Sequence, residues 1–258
     1  MIKSIYKYVV AAAISIIATC SASAVSPHTG ESINYRVMYK WGLVNKQAGT
    51  VNLSVKPGPT AGEFTGLLTA KSAPWADKLY KVRDTLRGNI NRATLEPSIY
   101  EKISHEGSDH RHDVVKYSRS GSTVKAHCTR TKLDGKGNVK ETAEIDLEAS
   151  GLTIDMLSAF YYMRSINYNK MTTGESITIN VFSGKRKELL TITYDGTETI
   201  ELDNKQVNTI HIRFKFTGKG GKKTSDDMDA WLSTDAAHIP LKMVGKLPVG
   251  QIQCYYMP

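Results

Sequence analysis

The chain has 258 residues, 40% hydrophobic and 23% charged, and its 34 basic residues outnumber 25 acidic ones for a formal net charge of +9. A length of this order suits one β-rich domain, and past the N-terminus no apolar run approaches the roughly 20 residues that a membrane-spanning helix needs. The positive balance favours acidic partners such as polyanionic glycans or phospholipid headgroups, or else serves solubility alone.

The first residues, Met1-Ile2-Lys3-Ser4-Ile5-Tyr6-Lys7, set two lysines ahead of an apolar run from Tyr8 to Ala18. Ser21-Ala22-Ser23-Ala24 then supplies the small-x-small pattern of a signal-peptidase site. Residues 1–24 therefore read as a secretory signal peptide, and residues 25–258 as a single mainly-β domain that is periplasmic or otherwise exported. Cys20 offers a lipid anchor as the competing reading, but Ile17-Ala18-Thr19 lacks the leucine and the small residue of a lipoprotein cleavage box. Cleavage removes Lys3 and Lys7 and leaves 32 basic against 25 acidic residues, a net charge of +7. For an exported protein nucleic acid is not an expected partner. Cys128 and Cys254 remain; they permit one disulfide, with two buried thiols as the preferred reading.

Residues 25–32 are small and polar and read as unstructured. From Ile33 the chain alternates: Ile33, Tyr35, Val37 and Tyr39 share one face, and Val51, Leu53 and Val55 repeat the period of two. Pro57-Gly58-Pro59-Thr60-Ala61-Gly62 is a turn, and Phe64 to Ser72 a third strand. Pro74 opens a short helical turn to Tyr80. Strands over 82–90, 100–107, 109–119 and 124–130 follow, with turns at Ser118 to Ser122 and at Asp134 to Asn138. Beyond residue 170, strands are expected over 177–182, 188–195, 197–202, 207–216, 228–233, 241–246 and 250–256, and Gly218 to Lys223 is a basic loop. This spacing describes a large antiparallel meander.

One stretch breaks the pattern. Ile154-Asp155-Met156-Leu157-Ser158-Ala159-Phe160-Tyr161-Tyr162-Met163-Arg164 is nearly continuous in apolar and aromatic residues, without Gly, Pro or alternation. Met156, Leu157, Phe160, Tyr161 and Arg164 recur at helical spacing, and Asp155 suits the first turn of a helix electrostatically. So many strands do not form a flat open sheet, because sheets twist and close. The expected fold is mainly β: a large, strongly curved antiparallel sheet, or half-open barrel, wrapped around a short central helix.

The run Asp229-Ala230-Trp231-Leu232-Ser233-Thr234-Asp235-Ala236-Ala237-His238-Ile239-Pro240-Leu241-Lys242-Met243 resembles a bacterial family of exported proteins, the domain of unknown function 3108. Tyr35 to Gly49 with its Trp41-Gly42 and Ala48-Gly49, the central Asp155-x-x-Ser158-Ala159-x-Tyr161-Tyr162-x-Arg164, and Val249-Gly250-Gln251-Ile252 extend the resemblance over nearly all of the expected mature chain. It implies a half-open barrel around helices, similar to envelope lipoprotein-carrier proteins, and no settled activity. A shared fold does not confer function.

Three constellations carry the functional expectations. His110 and His112, at i and i+2 on a strand, point to one face as a candidate metal edge; a turn about Ser120 would set Cys128 opposite His112, and one register step would set His127 there instead. His105, His127, Tyr161 and Tyr162 are candidates for proton exchange on an acidic polysaccharide in a basic groove, the enzymatic alternative. A cavity between sheet and helix is the third, with Trp41, Trp75, Phe160, Tyr161 and Trp231 as its lining and Arg164 at its mouth for an anionic headgroup; as filling for a curved sheet, the same aromatics form a plain core. Asp226-Asp227-x-Asp229 reads as a turn, since no loop-closing Glu follows as in a calcium loop. No nucleophile elbow, phosphate loop or cofactor motif is present, so no cofactor is expected. The leading expectation is a non-enzymatic binder or carrier of an apolar or amphipathic envelope ligand, with Trp41, Phe160, Tyr161, Arg164 and Trp231 as its contacts.

Overall fold

The computed structural model describes residues 27–218 and 221–258; the expected signal peptide, its cleavage site and Cys20 lie outside them. Among the described residues the strands form one sheet of fifteen, in the order β8-β7-β6-β5-β4-β3-β2-β1-β15-β14-β13-β12-β11-β10-β9. The first half is a meander of β1 (Ser32–Trp41), β2 (Val44–Pro57), β3 (Glu63–Ser72), β4 (Val82–Asn91), β5 (Pro97–Glu106), β6 (Asp109–Ser120), β7 (Thr123–Leu133) and β8 (Val139–Ser150), with a helix α1 (Pro74–Tyr80) between β3 and β4. The two-residue β9 (Thr153–Ile154) leads into helix α2 (Met156–Ser165). The second half then runs back through β10 (Ser176–Phe182), β11 (Lys187–Leu202), β12 (Lys205–Thr217), β13 (Met228–Ser233), β14 (Pro240–Lys246) and β15 (Gln251–Met257), which pairs with β1. The expected curved sheet around a helix is what forms.

Alternation builds this wall. On β4, Val82, Asp84, Leu86, Gly88 and Ile90 are buried, while the residues between them are partly or fully exposed. The sheet curls until its two ends nearly meet. Asn180 Nδ2 of β10 donates to the Ser150 carbonyl (2.9 Å), Lys187 Nζ to the Glu148 carbonyl (2.9 Å), and the Phe182 ring stacks on Tyr117 of β6. The barrel is therefore nearly closed across a seam between β6–β8 and β10.

Helix α2 plugs the interior. Nine of its ten residues are buried, all but Tyr162, so it is enclosed on every side instead of presenting one apolar face. Asp155 is its N-cap: one carboxylate oxygen accepts from the Leu157 and Ser158 amides (both 2.7 Å), and the other from the Ser158 hydroxyl (3.0 Å). Such a cap satisfies amides that the first turn leaves unpaired. The helix can approach β3 because Gly66 has no side chain there; a Cβ would lie 3.1 Å from the Tyr161 ring and 3.2 Å from Leu157.

Three local expectations are corrected. The sequence names no strand between the turn at Asp134 and Ile154, yet β8 fills it as an edge strand; its outward residues are largely charged and, of its inward face, only Ile145, Leu147 and Ala149 pack on the core, which weakens the alternating signal. The strands expected over 188–195 and 197–202 are one strand, β11, with a bulge between Tyr194 and Gly196, where Gly196 has φ +102°. Residues at 25–32 read as unstructured, but β1 already starts at Ser32, and Glu31 is fixed by the buried Arg164. Cys128 and Cys254 are buried free thiols on β7 and β15, with six strands between them in the sheet. Burial pushes them up to about 11 and about 12, which keeps both protonated.

Candidate functional site: a cavity with an apolar floor and a cationic mouth

Antiparallel order sorts the connections to two ends of the barrel. One end carries the β1–β2, β5–β6, β7–β8, β10–β11, β12–β13 and β14–β15 connections and α1; the other carries β2–β3, β4–β5, β6–β7, β11–β12 and β13–β14. Helix α2 blocks the second end. Its Arg164 donates two hydrogen bonds to Glu31 (2.8 Å each) and one to the Ala237 carbonyl (3.0 Å), and the Arg164 carbonyl lies 2.9 Å from His238 Nδ1 in the β13–β14 turn.

Between α2 and the first end lies a cavity of about 450 Å³. Met156, Leu157, Ala159, Phe160 and Met163 of α2 form its floor, and Val37, Leu53, Leu68, Leu86, Leu190 and Phe214 line its walls. Towards the open end the lining becomes charged: Lys102, Arg111, Arg130, Lys132, Lys185 and Arg186 stand against Asp84, Asp113 and Glu188, six cations to three carboxylates. Several are already paired. Arg130 holds Asp113 through both oxygens, Arg111 holds Asp109, and Lys102 lies 3.5 Å from Glu106. Asp84 is pushed well above the carboxylate range by burial, with the carboxyl of Glu106 beside it adding to the effect. Lys185 and Arg186 are exposed, and neither side chain makes an ion pair or hydrogen bond among the described residues.

The loop that carries these two cations, Ser183 to Arg186, folds over the mouth. Gly184 takes φ +68° and sits where a Cβ would run into the Asp113–Arg130 pair, so only glycine lets the loop lie there. Three buried hydroxyls on the lining, those of Tyr35, Tyr100 and Thr224, have no hydrogen-bond partner among the described residues. Buried polar groups are normally satisfied. Burial pushes both tyrosines well above their ordinary range, so each keeps its proton and can donate it to a guest.

The residues singled out from the sequence are dispersed by the fold. Phe160 lines the cavity. Tyr161 is buried edge-on against Phe64 (5.1 Å between ring centres), behind the cavity floor. Arg164 is at the opposite end from the mouth, and its charge is taken by Glu31. Trp41 is 58% exposed at the β1–β2 tip, and Trp75 donates to the Gln47 carbonyl from α1. Trp231 is on the outer face of β13, stacked on His211 (4.9 Å, 2°) with Lys242 over its ring, because Met228, Ala230 and Leu232 take the inner face.

The histidines also stand outside. His110 and His112 share one face of β6 as read, and it is the outer face; Arg111 between them and Asp113 after them point into the cavity. His112 Nε2 lies 2.7 Å from Glu101, and His110 packs 4.8 Å from His105, whose pKa burial and the His110 ring hold down. Cys128 pairs with Val115, and His127 with Lys116, so neither stands opposite His112. His127 lies between Asp146 and Glu144, whose hydrogen bonds raise its pKa. Among the described residues no group of three or more His, Cys, Asp or Glu is placed to hold a metal ion. Asp226 and Asp227 pair with Lys223, and Asp229 with His211. The barrel wall thus separates His105 and His127 from the buried Tyr161.

The cavity's charged residues went unread in the sequence although their signal was present. In Asp109-His110-Arg111-His112-Asp113 the strand period that groups the histidines groups Asp109, Arg111 and Asp113 on the other face.

A family model described as "Protein of unknown function (DUF3108)" matches residues 34–255. No curated protein matches the chain. Among solved structures, the chain is similar to a β-barrel-like protein of domain of unknown function DUF1849 from Brucella abortus, with a TM-score of 0.57 and 8% identity over 88% of this chain and 94% of that one. At that identity the likeness is one of fold.

Proposed function

The chain belongs to the DUF3108 family of proteins of unknown function, and within it we propose an exported, non-enzymatic binder of a single amphipathic, anionic molecule. Its apolar part lies against the α2 floor, and its acidic group lies among Arg111, Arg130, Lys185 and Arg186. The observation that carries this reading is the split lining of the cavity, hydrocarbon at the helix and excess positive charge at the mouth. Ligand sites are concave, mostly apolar and fixed by a few placed polar groups, and the unpartnered Tyr35 and Tyr100 hydroxyls supply two more such groups. A charged guest suits a charged mouth because a charge-assisted hydrogen bond is about twice as strong as a neutral one.

Displacement of a fluorescent fatty acid from the purified protein tests this. Lys185→Glu with Arg186→Glu, on exposed and unpaired side chains, is expected to weaken binding at least about tenfold, a change of ~1.4 kcal/mol, with the fold intact. Ala70→Trp, which puts bulk into the cavity wall, is expected to abolish binding. Unchanged affinity in both variants rejects the cavity as the site.

A further inference from the structure

Among the described residues six large hydrophobic side chains are exposed: Trp41, Leu43, Val44, Leu79, Val139 and Val249. All six sit at the open end of the barrel, on the β1–β2 tip, α1, the start of β8 and the β14–β15 connection. No exposed large hydrophobic is found at the end that α2 blocks, among the described residues. Scattered surface hydrophobics are ordinary, but a grouping of this kind marks an interaction surface. The tips are built together. Tyr39 donates to the Val249 carbonyl (3.3 Å), Gly250 packs against Lys40 and Trp41, and Lys46 lies 4.9 Å over the Trp75 ring of α1, whose indole bonds Gln47.

Charge tells what the surface meets. Lys40, Lys46, Lys78, Lys81, Lys185 and Lys246 are exposed at this end, and none forms an ion pair among the described residues. The acidic groups nearby are engaged: Asp77 with Arg83, Asp109 with Arg111, Glu141 with Lys132, Asp226 and Asp227 with Lys223, and Asp134 with the amides of its own turn. A second copy of so cationic a rim would be repelled. Apolar tips, an interfacial tryptophan and free lysines together are what an anionic bilayer surface takes up.

We propose that the open rim of the barrel docks on anionic phospholipid membrane, with Trp41, Leu43, Val44 and Val249 entering the headgroup region and the surrounding lysines meeting lipid phosphates. The cavity mouth then faces the bilayer, so an amphiphile can pass between membrane and barrel without crossing water. Apart from Lys185, which also lines the cavity mouth, the docking surface stands on residues separate from those that line the cavity.

Sedimentation with vesicles of phosphatidylglycerol and phosphatidylethanolamine, against vesicles of phosphatidylcholine alone, tests the proposal. The protein is expected to bind the anionic vesicles, to lose binding as salt is raised, and to show blue-shifted emission on binding that disappears in Trp41→Phe. Leu43 is fully exposed and packs on nothing, so Leu43→Asp keeps the fold. It is expected to cut the partition at least about tenfold while cavity binding of the fluorescent fatty acid in solution is retained. Lys46→Glu weakens binding, and Lys56→Glu, the same charge change at the blocked end, leaves it unchanged. No binding to anionic vesicles, equal binding to phosphatidylcholine, or an unaffected Leu43→Asp would overturn the proposal. Loss of cavity binding with docking intact counts only against the ligand reading.

Discussion

Arg164 shows how a side chain's partners decide what it can do. Its charge is buried, 3% exposed, against a Glu31 side chain that is 12% exposed, and it joins the end of α2 to the segment before β1 and to the β13–β14 turn. A buried pair adds little net stability over an apolar replacement, but removing one partner leaves the other charged and unsatisfied, at about 3–5 kcal/mol. Arg164→Met is therefore expected to lower unfolding stability by an amount in that range, with part recovered in the double variant with Glu31→Gln. Denaturant titration of the four proteins in this cycle measures it; additive losses would mean the pair is not coupled. Asp155 is the converse case, a buried carboxyl with no ion pair, held chiefly by hydrogen bonds. Burial raises it to about 6, against the Ser158 and Leu157 bonds and the Arg119 charge that hold it down. A carboxyl whose pKa is higher folded than unfolded contributes its stability in full below the unfolded value of about 3.9, and the contribution is lost as pH rises through about 6. Asn caps as well as Asp and has no charge to bury. Asp155→Asn is expected to gain on the wild type by about 2–3 kcal/mol between pH 4 and pH 7, read as the difference between two denaturation midpoints. A gap independent of pH would show that this carboxyl does not titrate in the range.

The elements were legible where the pattern of side chains is two-faced. Tyr35 and Val37 on β1, and Leu53 and Val55 on β2, alternate cleanly because one face meets the core and the other meets water. β8 is an edge strand with one neighbour, and Glu144, Asp146 and Glu148 along its outer face keep that edge soluble at the expense of the signal. In β11 Gly196 breaks the alternation and so divides the stretch into two expected strands, but the pairing of Tyr194 to Ile212 and of Gly196 to His211 makes the interruption a bulge within one strand. The helix was legible as the one apolar stretch without alternation. Its full enclosure was not, since that depends on the sheet curling back until β10 reaches β8. The phase of a strand was the hardest quantity to read. Trp231 is expected among the aromatics lining the cavity, although Asp229 on the same face of the strand already argues that this face is outward. The cavity's cations were missed for the same reason: a strand with histidines on one face and Arg111 and Asp113 on the other carries two messages, and the wall of the barrel separates them.

For the whole molecule the consequence is an asymmetric barrel, with α2 and the Arg164–Glu31 pair at one end and an open, cationic, apolar-tipped rim at the other. A guest of the proposed kind would touch the first half of the sheet through Leu68 and Leu86, the second half through Leu190 and Phe214, and the helix through Phe160, all of which line the cavity. Those three parts would all have to be in place for binding, so on this proposal only the folded barrel binds and binding raises its stability by mass action. At a free ligand concentration one hundred times the dissociation constant the gain is about 2.7 kcal/mol, which for a chain of this size raises the melting temperature by about 5–10 °C. An anionic amphiphile is expected to produce that rise, and a neutral one with the same chain a smaller rise, because it leaves Lys185 and Arg186 unpaired. In Lys185→Glu with Arg186→Glu the difference between the two should vanish or reverse. A detergent-like action on the exposed apolar tips would lower the melting temperature for both amphiphiles, and Leu43→Asp would relieve it. Scanning calorimetry across these two ligands and two variants separates a guest in the cavity from a surfactant on the surface, and a melting temperature that never rises would count against the cavity as a binding site.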